Sequence, residues 1–455
     1  MDGESLGLTE GVSIALGGMI GGGIFAVLGV VAQITRAAAW FAFVVAGVVA
    51  LCAAYSYVKL NELSEGQGGS VTFIQCFLEN PDLAGMAGWT LLFGYVGSMA
   101  MYAYAFGSYT VGFAVVPDAV AGVPMRPVVS VLMVAGFVGL NLLGAQATGA
   151  TENLLVGVKV AILLTFGVAG IYYGVNTGQI EAGLERIASV QPVMAAGVSF
   201  VAFQGWQLLF YSQESFENPM ETIRKAVYAS VVAAVGIYVL VGISTLSLAP
   251  LSVIEQHPER ALAVAADPVV PYGFVVISLA ALFSTGSALN ATLFSAGYFA
   301  KGMLSEDLVP DRVGDASADG VPQRILIMLG GVIAAFAAFG SLSAITSFAS
   351  LTFIVVFGAM SLLALKQREQ PEVNPIPPAI GAVGAGGFFV VMFWHLYSTE
   401  RHTFYAVLVI ALALVAVETL YFKHEALQEE VTTFERLVEP DGWHDEESAS
   451  VDDLL

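Results

Sequence analysis

The chain has 455 residues, of which 57% are apolar and 12% are charged, and its formal net charge is −21 at pH 7. A soluble globular protein carries about 25% charged residues and cannot hide this much apolar side chain from water. These values argue against a soluble enzyme, and the negative charge argues against a nucleic-acid-binding protein. They predict an all-α polytopic membrane protein with about twelve transmembrane helices, at roughly 20 residues per crossing.

Apolar runs between charged, proline and glycine breaks predict the positions of twelve spans. In chain order these spans are 11–32, 38–58, 85–115, 128–147, 153–173, 194–215, 226–248, 268–302, 324–340, 344–365, 376–397 and 404–422. An even number of spans places both termini on one side of the membrane. Ten Lys and Arg residues then lie in segments on that side and five on the other, so the positive-inside bias predicts cytoplasmic termini in the cell (plasma) membrane.

The first and sixth spans each contain a sequence that weakens a helix near its middle. In the first span, five of the seven residues from Gly17 to Gly23 are glycine, and each weakens a helix by about 1 kcal/mol relative to alanine. The sixth span contains Phe203-Gln204-Gly205-Trp206-Gln207. Interrupted spans in corresponding positions are typical of inverted repeats with a substrate site between them. The alternative for the glycines is close helix packing.

This pattern predicts the domain organisation. We expect a cytoplasmic N-terminal tail at 1–10 and a ten-helix core at 11–366, composed of repeats at about 11–173 and 194–366. Two further transmembrane helices follow at 367–423, and an acidic cytoplasmic tail follows at 424–455. Eleven acidic residues and one basic residue lie in that tail. The acidic excess predicts adaptation to a salt-rich cytoplasm, in which ions screen self-repulsion; the alternative is a simple solvated tail.

Four motifs carry a resemblance to a known family. Tyr57-Val58-Lys59-Leu60, followed by Gly68-Gly69, is similar to a Y-x-E-L…A-G-G loop. Ile20-Gly21-Gly22-Gly23-Ile24-Phe25 is similar to an I-G-(T/S)-G-I-F motif. Phe203 to Trp206, followed by Glu214 to Pro219, is similar to F-x-G-(F/W)…E-E-x-x-N-P. Ser284-Thr285 through Asn290 to Leu308-Val309-Pro310 is similar to S-T-x-x-x-x-N…D-G-x-L-P. With these motifs the chain resembles the amino acid permeases of the amino acid–polyamine–organocation (APC) superfamily. The resemblance implies a leucine-transporter-type 5+5 inverted repeat with broken helices 1 and 6, plus two extra C-terminal helices.

The resemblance also implies a substrate site at the two interruptions. The substrate carboxylate would bind backbone N–H groups of Gly21, Gly22 and Gly23, where glycine allows close approach. The ammonium would bind carbonyl groups at Ile20 and Phe203, beside the Gln204 amide. Trp206 would cover the substrate from the outer side as a gate. Tyr95, Met99 and Tyr102 share one face of the third span and are candidates for the pocket wall; the alternative for such a stripe is packing.

Lys159 lies well inside the apolar fifth span. An unpaired ammonium at the bilayer centre costs at least ~2.5 kcal/mol, so it must bind polar groups, lose its proton or extend to the interface. In sodium-coupled members of the superfamily, Na⁺ lies between the first interruption and the eighth span. The matching residues here are Gly17, Ile20, Ala281, Ser284 and Thr285. A lysine at this fifth-span position implies a substitute cation that releases its proton during transport.

Together these features predict a secondary active transporter that moves amino acids by alternating access, independently of sodium and coupled to protons. We expect no enzymatic activity, cofactor or metal; a neutral amino acid is favoured because Gln207 occupies the sixth-span interruption without an acid. Glu214 is a candidate gating residue, with capping of the next helix as the alternative. An amino acid or amine exchanger and a non-transporting sensor of amino acids remain alternatives. The expected partners are the small substrate, protons and the lipid bilayer, and the oligomeric state is left open.

Overall fold

A computed structural model describes residues 6–65, 68–113, 116–143, 149–306, 308, 314, 320–399, 401–413 and 415–416. These residues form α-helices with one two-residue hairpin, β1 (Ala119–Val120) and β2 (Val123–Pro124). The helices are α1 (Leu8–Thr35), α2 (Ala39–Leu63), α3 (Ser70–Leu78), α4 (Pro81–Gly112), α5 (Met125–Leu142), α6 (Gly149–Thr177), α7 (Gln191–Ser199), α8 (Pro219–Leu248), α9 (Leu251–Gln256), α10 (Ala261–Ala266), α11 (Gly273–Ser305), α12 (Gln323–Phe339), α13 (Leu342–Lys366), α14 (Ile376–Thr399) and α15 (Arg401–Ala413).

The helices confirm a polytopic all-α membrane protein. Nine helical runs among the described residues are long and apolar enough to cross a membrane, and one of them, Leu8–Leu63, contains both α1 and α2. The shorter apolar helices α12 and α15 lie at the ninth and twelfth predicted spans. The end of the twelfth span and the acidic tail at 424–455 lie outside the described residues.

The interruption predicted in the first span is not what the structure shows. α1 is a continuous α-helix of 28 residues through all five glycines, and it is buried along most of its length. The penalty of about 1 kcal/mol for each helical glycine is offset by the packing of neighbouring helices against the glycine surface. The glycines therefore have the role that sequence analysis gave as the alternative.

The long helices form two groups around α1. In one group, α1 and α2 both contact α7 and α8; in the other, α4, α5, α11 and α12 contact one another. α6 contacts α1, α8 and α11, and α13 contacts α2, α4 and α14. The first four predicted spans, α1, α2, α4 and α5, thus contact the sixth to ninth, which contain α7, α8, α11 and α12, in the same order. Two five-helix repeats would produce this pairing, and the inverted relation between them stays a prediction.

Candidate functional site

The sixth predicted span is interrupted, as expected. After α7, the chain forms 3₁₀ segments at Phe200–Phe203 and Trp206–Tyr211. Gln204 between them is extended, with φ −82° and ψ 153°, and Gly205 has φ 130°, a value that favours glycine. Inside the break, the Gly205 N–H donates to Gln207 Oε1 at 2.6 Å, and Gln207 Nε2 donates to Gln204 Oε1 at 3.4 Å. The two amide side chains satisfy polar groups that the lost helical bonds leave buried.

The break lies directly against the glycine face of α1. A Cβ atom added to Gly18 would lie 3.0 Å from the Cα of Gly205, so neither position has room for a side chain. Further along α1, added Cβ atoms would meet Ala288 at Gly21, the Tyr102 ring at Gly22 and Tyr238 at Gly23. Glycine at these positions lets α4, α8, α11 and the break all contact one helix.

The structure brings Ile20, Gly21, Gly22, Gly23 and Gln204 together, but it leaves the glycine N–H groups inside a helix. In an α-helix each of these groups donates to the carbonyl four residues earlier. A substrate carboxylate therefore requires a local unwinding of α1 to reach them. The substrate site at this meeting point of elements stays a prediction, whereas the unwound conformation that sequence reasoning gave α1 is not observed.

Tyr102 occupies the space between α1 and the break. Its hydroxyl accepts a hydrogen bond from Gln204 Nε2 at 2.5 Å and lies 3.5 Å from the carbonyl oxygen of Gly18, while its ring covers Gly22. Tyr238, which sequence reasoning missed, lies on the opposite side. Its hydroxyl is 2.6 Å from the Met19 carbonyl and 2.8 Å from the Ala202 carbonyl. The available signal was a tyrosine in an apolar span, since a buried hydroxyl needs a partner.

The other pocket candidates are Phe203, Met99 and Tyr95. Phe203 packs edge-on against Tyr238 with 5.4 Å between ring centroids. Met99 and Tyr95 are fully buried. Tyr95 lies about 10 Å along α4 from Tyr102, at 1.5 Å per residue, and its hydroxyl is 3.5 Å from that of Tyr211. Tyr95 packs against Phe299 and Phe353 and also interacts with the Gln207 side chain of the break.

Trp206 packs among aromatic side chains of α2 and α13. Its ring centroid is 5.0 Å from that of Tyr57 and 5.0 Å from that of Phe357, and its side chain is fully buried. Tyr57 is in the C-terminal half of α2, which the charge bias assigns to the cytoplasmic side. Past the break the chain runs toward the N-terminus of α1, where the Leu6 N–H donates to the Ser215 carbonyl at 2.8 Å. With cytoplasmic termini these contacts would lie on the inner side of the break, so the role of Trp206 as an outer cover stays a prediction.

Lys159 is 4% exposed and begins a chain of hydrogen bonds that joins three helices. Its Nζ donates to Ser287 Oγ of α11 at 3.3 Å, and Ser287 Oγ donates to the Ser284 carbonyl at 3.2 Å. Ser284 Oγ in turn donates to the Ile20 carbonyl of α1 at 3.4 Å. The buried amine is thereby linked through α11 to the glycine segment, and it contacts polar groups without extending to the membrane surface.

The remaining coupling candidates differ in their contacts. Thr285 Oγ1 donates to the Ala281 carbonyl of its own helix at 2.7 Å, and Ala281 is fully buried. Gly17 borders a cavity beside α11. Sequence reasoning missed Ser287; the signal was its position three residues after Ser284, on the same helical face.

The inner end of the break is stabilised by Gln213 rather than by Glu214. The amides of Gln213 and Asn61 donate to each other at 2.9 Å in both directions, and both side chains are buried. Glu214 is exposed, and the N-cap of α8 is Asn218. The structure therefore gives Glu214 neither the capping contact nor a buried position at the break.

A cavity of about 1150 Å³ lies beside the break. Its wall includes Gly17 and Gly18 of α1, Leu208 after the break and Ser287 of α11, and it reaches Glu10 at the start of α1. The Glu10 carboxylate accepts a hydrogen bond from Asn153 Nδ2 at 3.0 Å. Within the part of the chain that the structure describes, no group of three or more His, Cys, Asp and Glu side chains is arranged to hold a metal.

Comparison with known proteins agrees with this architecture. Over 309 residues the chain is 31% identical to an uncharacterized protein of Methanocaldococcus jannaschii, covering 68% of this chain and 70% of that protein. It is 29% identical to the inner membrane transport protein YbaT of Escherichia coli, covering 68% and 71%. It is 26% identical to the b(0,+)-type amino acid transporter 1 of Homo sapiens, covering 65% and 61%. The sequence profile of the amino acid permease family matches residues 6–417. The chain belongs to the amino acid permease family, and it is a membrane transporter.

Proposed function

We propose that this transporter moves neutral amino acids across the plasma membrane by alternating access, without sodium and coupled to protons through Lys159. The contact of the Lys159 amine with Ser287 is the observation that carries the proposal. Through Ser284, that amine is linked to the Ile20 carbonyl of α1. A fixed ammonium at this point supplies the positive charge that a bound sodium ion would otherwise supply.

The proposed substrate site is the meeting point of α1, α4 and the break. The Gln204 and Gln207 side chains there are fully buried and uncharged, so they can bind an α-ammonium or α-carboxylate without favouring a charged substrate side chain. Tyr102 now bonds to Gln204 at 2.5 Å. A bound substrate would replace this hydrogen bond. If α1 also unwinds at Gly21 to Gly23, the freed backbone N–H groups could bind the substrate carboxylate, as the sequence predicts.

The proposed coupling step is loss of the Lys159 proton. A charged amine in an apolar span is stable only with polar partners, and α11 supplies them through Ser287. When Lys159 becomes neutral, this interaction weakens, because hydrogen bonds from charged donors are about twice as strong as neutral ones. α1 and α11 are then free to separate, which connects proton release with the opening of the site.

Uptake by purified protein in proteoliposomes tests this function. Labelled neutral amino acids are offered with an inward proton gradient, with an inward sodium gradient, or after preloading with unlabelled substrate. We expect accumulation on the proton gradient alone. Accumulation that depends on sodium would contradict the role of Lys159.

Two alternatives have distinct outcomes in the same experiment. An exchanger would respond to preloading and to neither gradient. A non-transporting sensor would bind amino acids in a thermal-shift assay and move none. For a Lys159→Ala variant in this experiment, Lys225→Ala is the matched control. Lys225 pairs with Glu221 on an exposed helix face, and its removal is expected to leave coupling unchanged.

A further inference from the structure

The large cavity beside the break continues into a groove on the outside of the helix bundle. Leu132, Gly136 and Leu140 of α5 line one part of the cavity, and Leu279 and Phe283 of α11 line another. Ser287 of α11 borders it as well. One polar contact bridges α5 and α11, where Asn141 Nδ2 donates to Asn290 Oδ1 at 2.8 Å. The other α5 and α11 residues that line the cavity are mostly apolar, and the polar ones among them are Ser287, Thr292 and Ser295.

The rim of the groove faces the bilayer interior. Leu132 is 65% exposed and Phe283 is 66% exposed, and both lie within membrane-spanning helices. Of the 18 residues of α5, Ser130, Met133 and Val134 are buried inside the protein. Exposed apolar side chains at membrane depth contact lipid hydrocarbon, so the groove is continuous with the lipid-facing surface of α5 and α11.

We propose that this groove binds an acyl chain of a membrane lipid. An empty apolar volume loses the dispersion contacts of its lining atoms, and water needs polar partners that the rim residues Leu132, Leu279 and Phe283 do not offer. The cavity wall also carries polar side chains, among them Glu10, Asn153 and Asn290, so the proposal concerns the apolar part at the rim. An acyl chain is the apolar molecule present at this depth, and it is flexible enough to enter a cleft between two helices. A flat helix face of a second copy would leave the floor of the cleft uncovered.

The bound chain would lie next to the Lys159 region. A second cavity of about 240 Å³, beside Lys159, shares Leu155, Leu279, Phe283 and Ser287 with the groove. A chain in the groove would therefore cover Lys159 from the membrane side and limit the access of water from that direction. This consequence rests on the proposed role of Lys159, whereas the binding of the chain does not.

Photolabelling with a phospholipid that carries a diazirine within its acyl chain tests the proposal. The protein is reconstituted with this lipid and irradiated, and labelled peptides are identified by mass spectrometry. We expect labels at α5 and α11 residues of the groove, above the level on Val383 and Val390, exposed positions on the lipid-facing helix α14. Labelling of the groove at or below the level of α14 would overturn the proposal.

Two glycines of α5 provide a matched pair of variants. A Cβ atom at Gly136 or at Gly139 would have no neighbour within 4 Å, but only Gly136 is among the described residues that line the groove. Gly136→Trp is expected to fill the cleft and remove the groove labels, while Gly139→Trp retains them. Equal labelling of the two variants would contradict a bound chain. Substrate-induced thermal stabilisation verifies that each variant is folded.

A cysteine in place of Gly136 tests independently whether water reaches the groove, and it needs no bulky side chain. Gly136→Cys is placed in a background in which Cys52 and Cys76 are replaced by alanine, and the proteoliposomes are treated with a membrane-impermeant maleimide. A lipid-filled groove predicts no modification. Modification would identify a water-filled vestibule, and a disulfide between two copies would identify a protein interface; either result overturns the proposal. Both results leave the uptake experiment unaffected, so the two proposals fail independently.

Discussion

Lys159 places an amine in the apolar part of α6, and the hydroxyl of Ser287 lies within hydrogen-bonding distance of it. Because Ser287 also donates to the Ser284 carbonyl, the state of the amine is connected to a side chain that contacts α1. In the proposed mechanism, a single proton on Lys159 would affect the contact between two helices at the proposed substrate site.

Replacing Lys159 removes the titrating group. We expect Lys159→Ala to lose the pH dependence of substrate counterflow, because no proton is then released at this position. Counterflow is measured in proteoliposomes over a series of pH values. A pH profile identical to that of the native protein would contradict the assignment.

Two hydroxyl variants separate the role of the hydrogen bonds from that of the charge. Ser287→Ala removes a direct contact of the amine, and loss of a hydrogen bond to a charged group costs about 1.5–3 kcal/mol. We expect a shifted pH profile in this variant. Thr285→Ala is the matched control, since Thr285 bonds to the Ala281 carbonyl of its own helix, and we expect its pH profile to remain unshifted.

Tyr102 is the second residue whose role can be tested. Its hydroxyl accepts a hydrogen bond from Gln204 Nε2. Tyr102→Phe removes this acceptor and leaves the Gln204 amide free to bind the proposed substrate. A hydrogen bond contributes about 1 kcal/mol, and we expect the KM for uptake to fall by roughly fivefold. A KM that rises instead would show that the hydroxyl binds the substrate directly.

The residues that sequence analysis missed share one property. Ser287, Tyr238 and Gln213 are polar side chains whose partners lie on other helices, far away in the chain. Hydropathy and motif spacing carry no information about which helices become neighbours. Lys159 was predictable because a charge within an apolar span is conspicuous by itself.

At the scale of elements, α1 and the break use glycine in different ways. Gly205 has φ 130°, which only glycine adopts readily, so the sixth span must leave the helical path there. The glycines of α1 remain helical and create close packing, as the contact of Gly22 with Tyr102 illustrates. Five glycines in the first span, and a Gly-Trp pair flanked by two glutamines in the sixth, predicted an interruption in both spans, and the structure confirms it for the sixth.

A substitution pair measures this packing. Gly22→Ala inserts a methyl group against the Tyr102 ring, and overpacking of this kind costs typically about 1–3 kcal/mol. We expect a lower melting temperature in detergent and reduced uptake. Gly236→Ala in α8 is the control, since its Cβ would meet no atom within 4 Å. Alanine there is expected to stabilise the helix by about 0.5–1 kcal/mol, and equal destabilisation of both variants would contradict the packing role.

The positions of the helices were the most predictable feature of the fold. Each predicted span has a helix at its position, because long apolar runs are required wherever a chain crosses a bilayer. Their ends were less predictable: α4 begins at Pro81 and α8 at Pro219, several residues before the apolar runs begin. Proline in the first turn favours a helix start, a signal that hydropathy does not contain.

At the scale of the whole molecule, the net charge of −21 produces self-repulsion, which dissolved salt screens. The Debye length is about 10 Å at 0.1 M salt and about 3 Å at 1 M. We expect the melting temperature of the purified protein to rise as KCl increases toward molar concentration. A constant melting temperature across this range would contradict salt adaptation and leave the acidic tail as a solvated segment.

In the proposed alternating-access cycle, the two helix groups would move relative to each other. α1 contacts members of both groups, since it packs against α8 and against α11. The link from Lys159 through Ser287 and Ser284 lies at the contact of α1 with α11. Proton release at that point would act where the two groups meet.

The central claim is that substrate entry and proton entry occur together. Proteoliposomes containing a pH-sensitive dye are placed in sodium-free buffer, and a neutral amino acid is added outside. We predict substrate-dependent acidification of the interior by the native protein and none by Lys159→Ala. Entry of labelled substrate without acidification, or entry that begins only when sodium is added, would contradict the account.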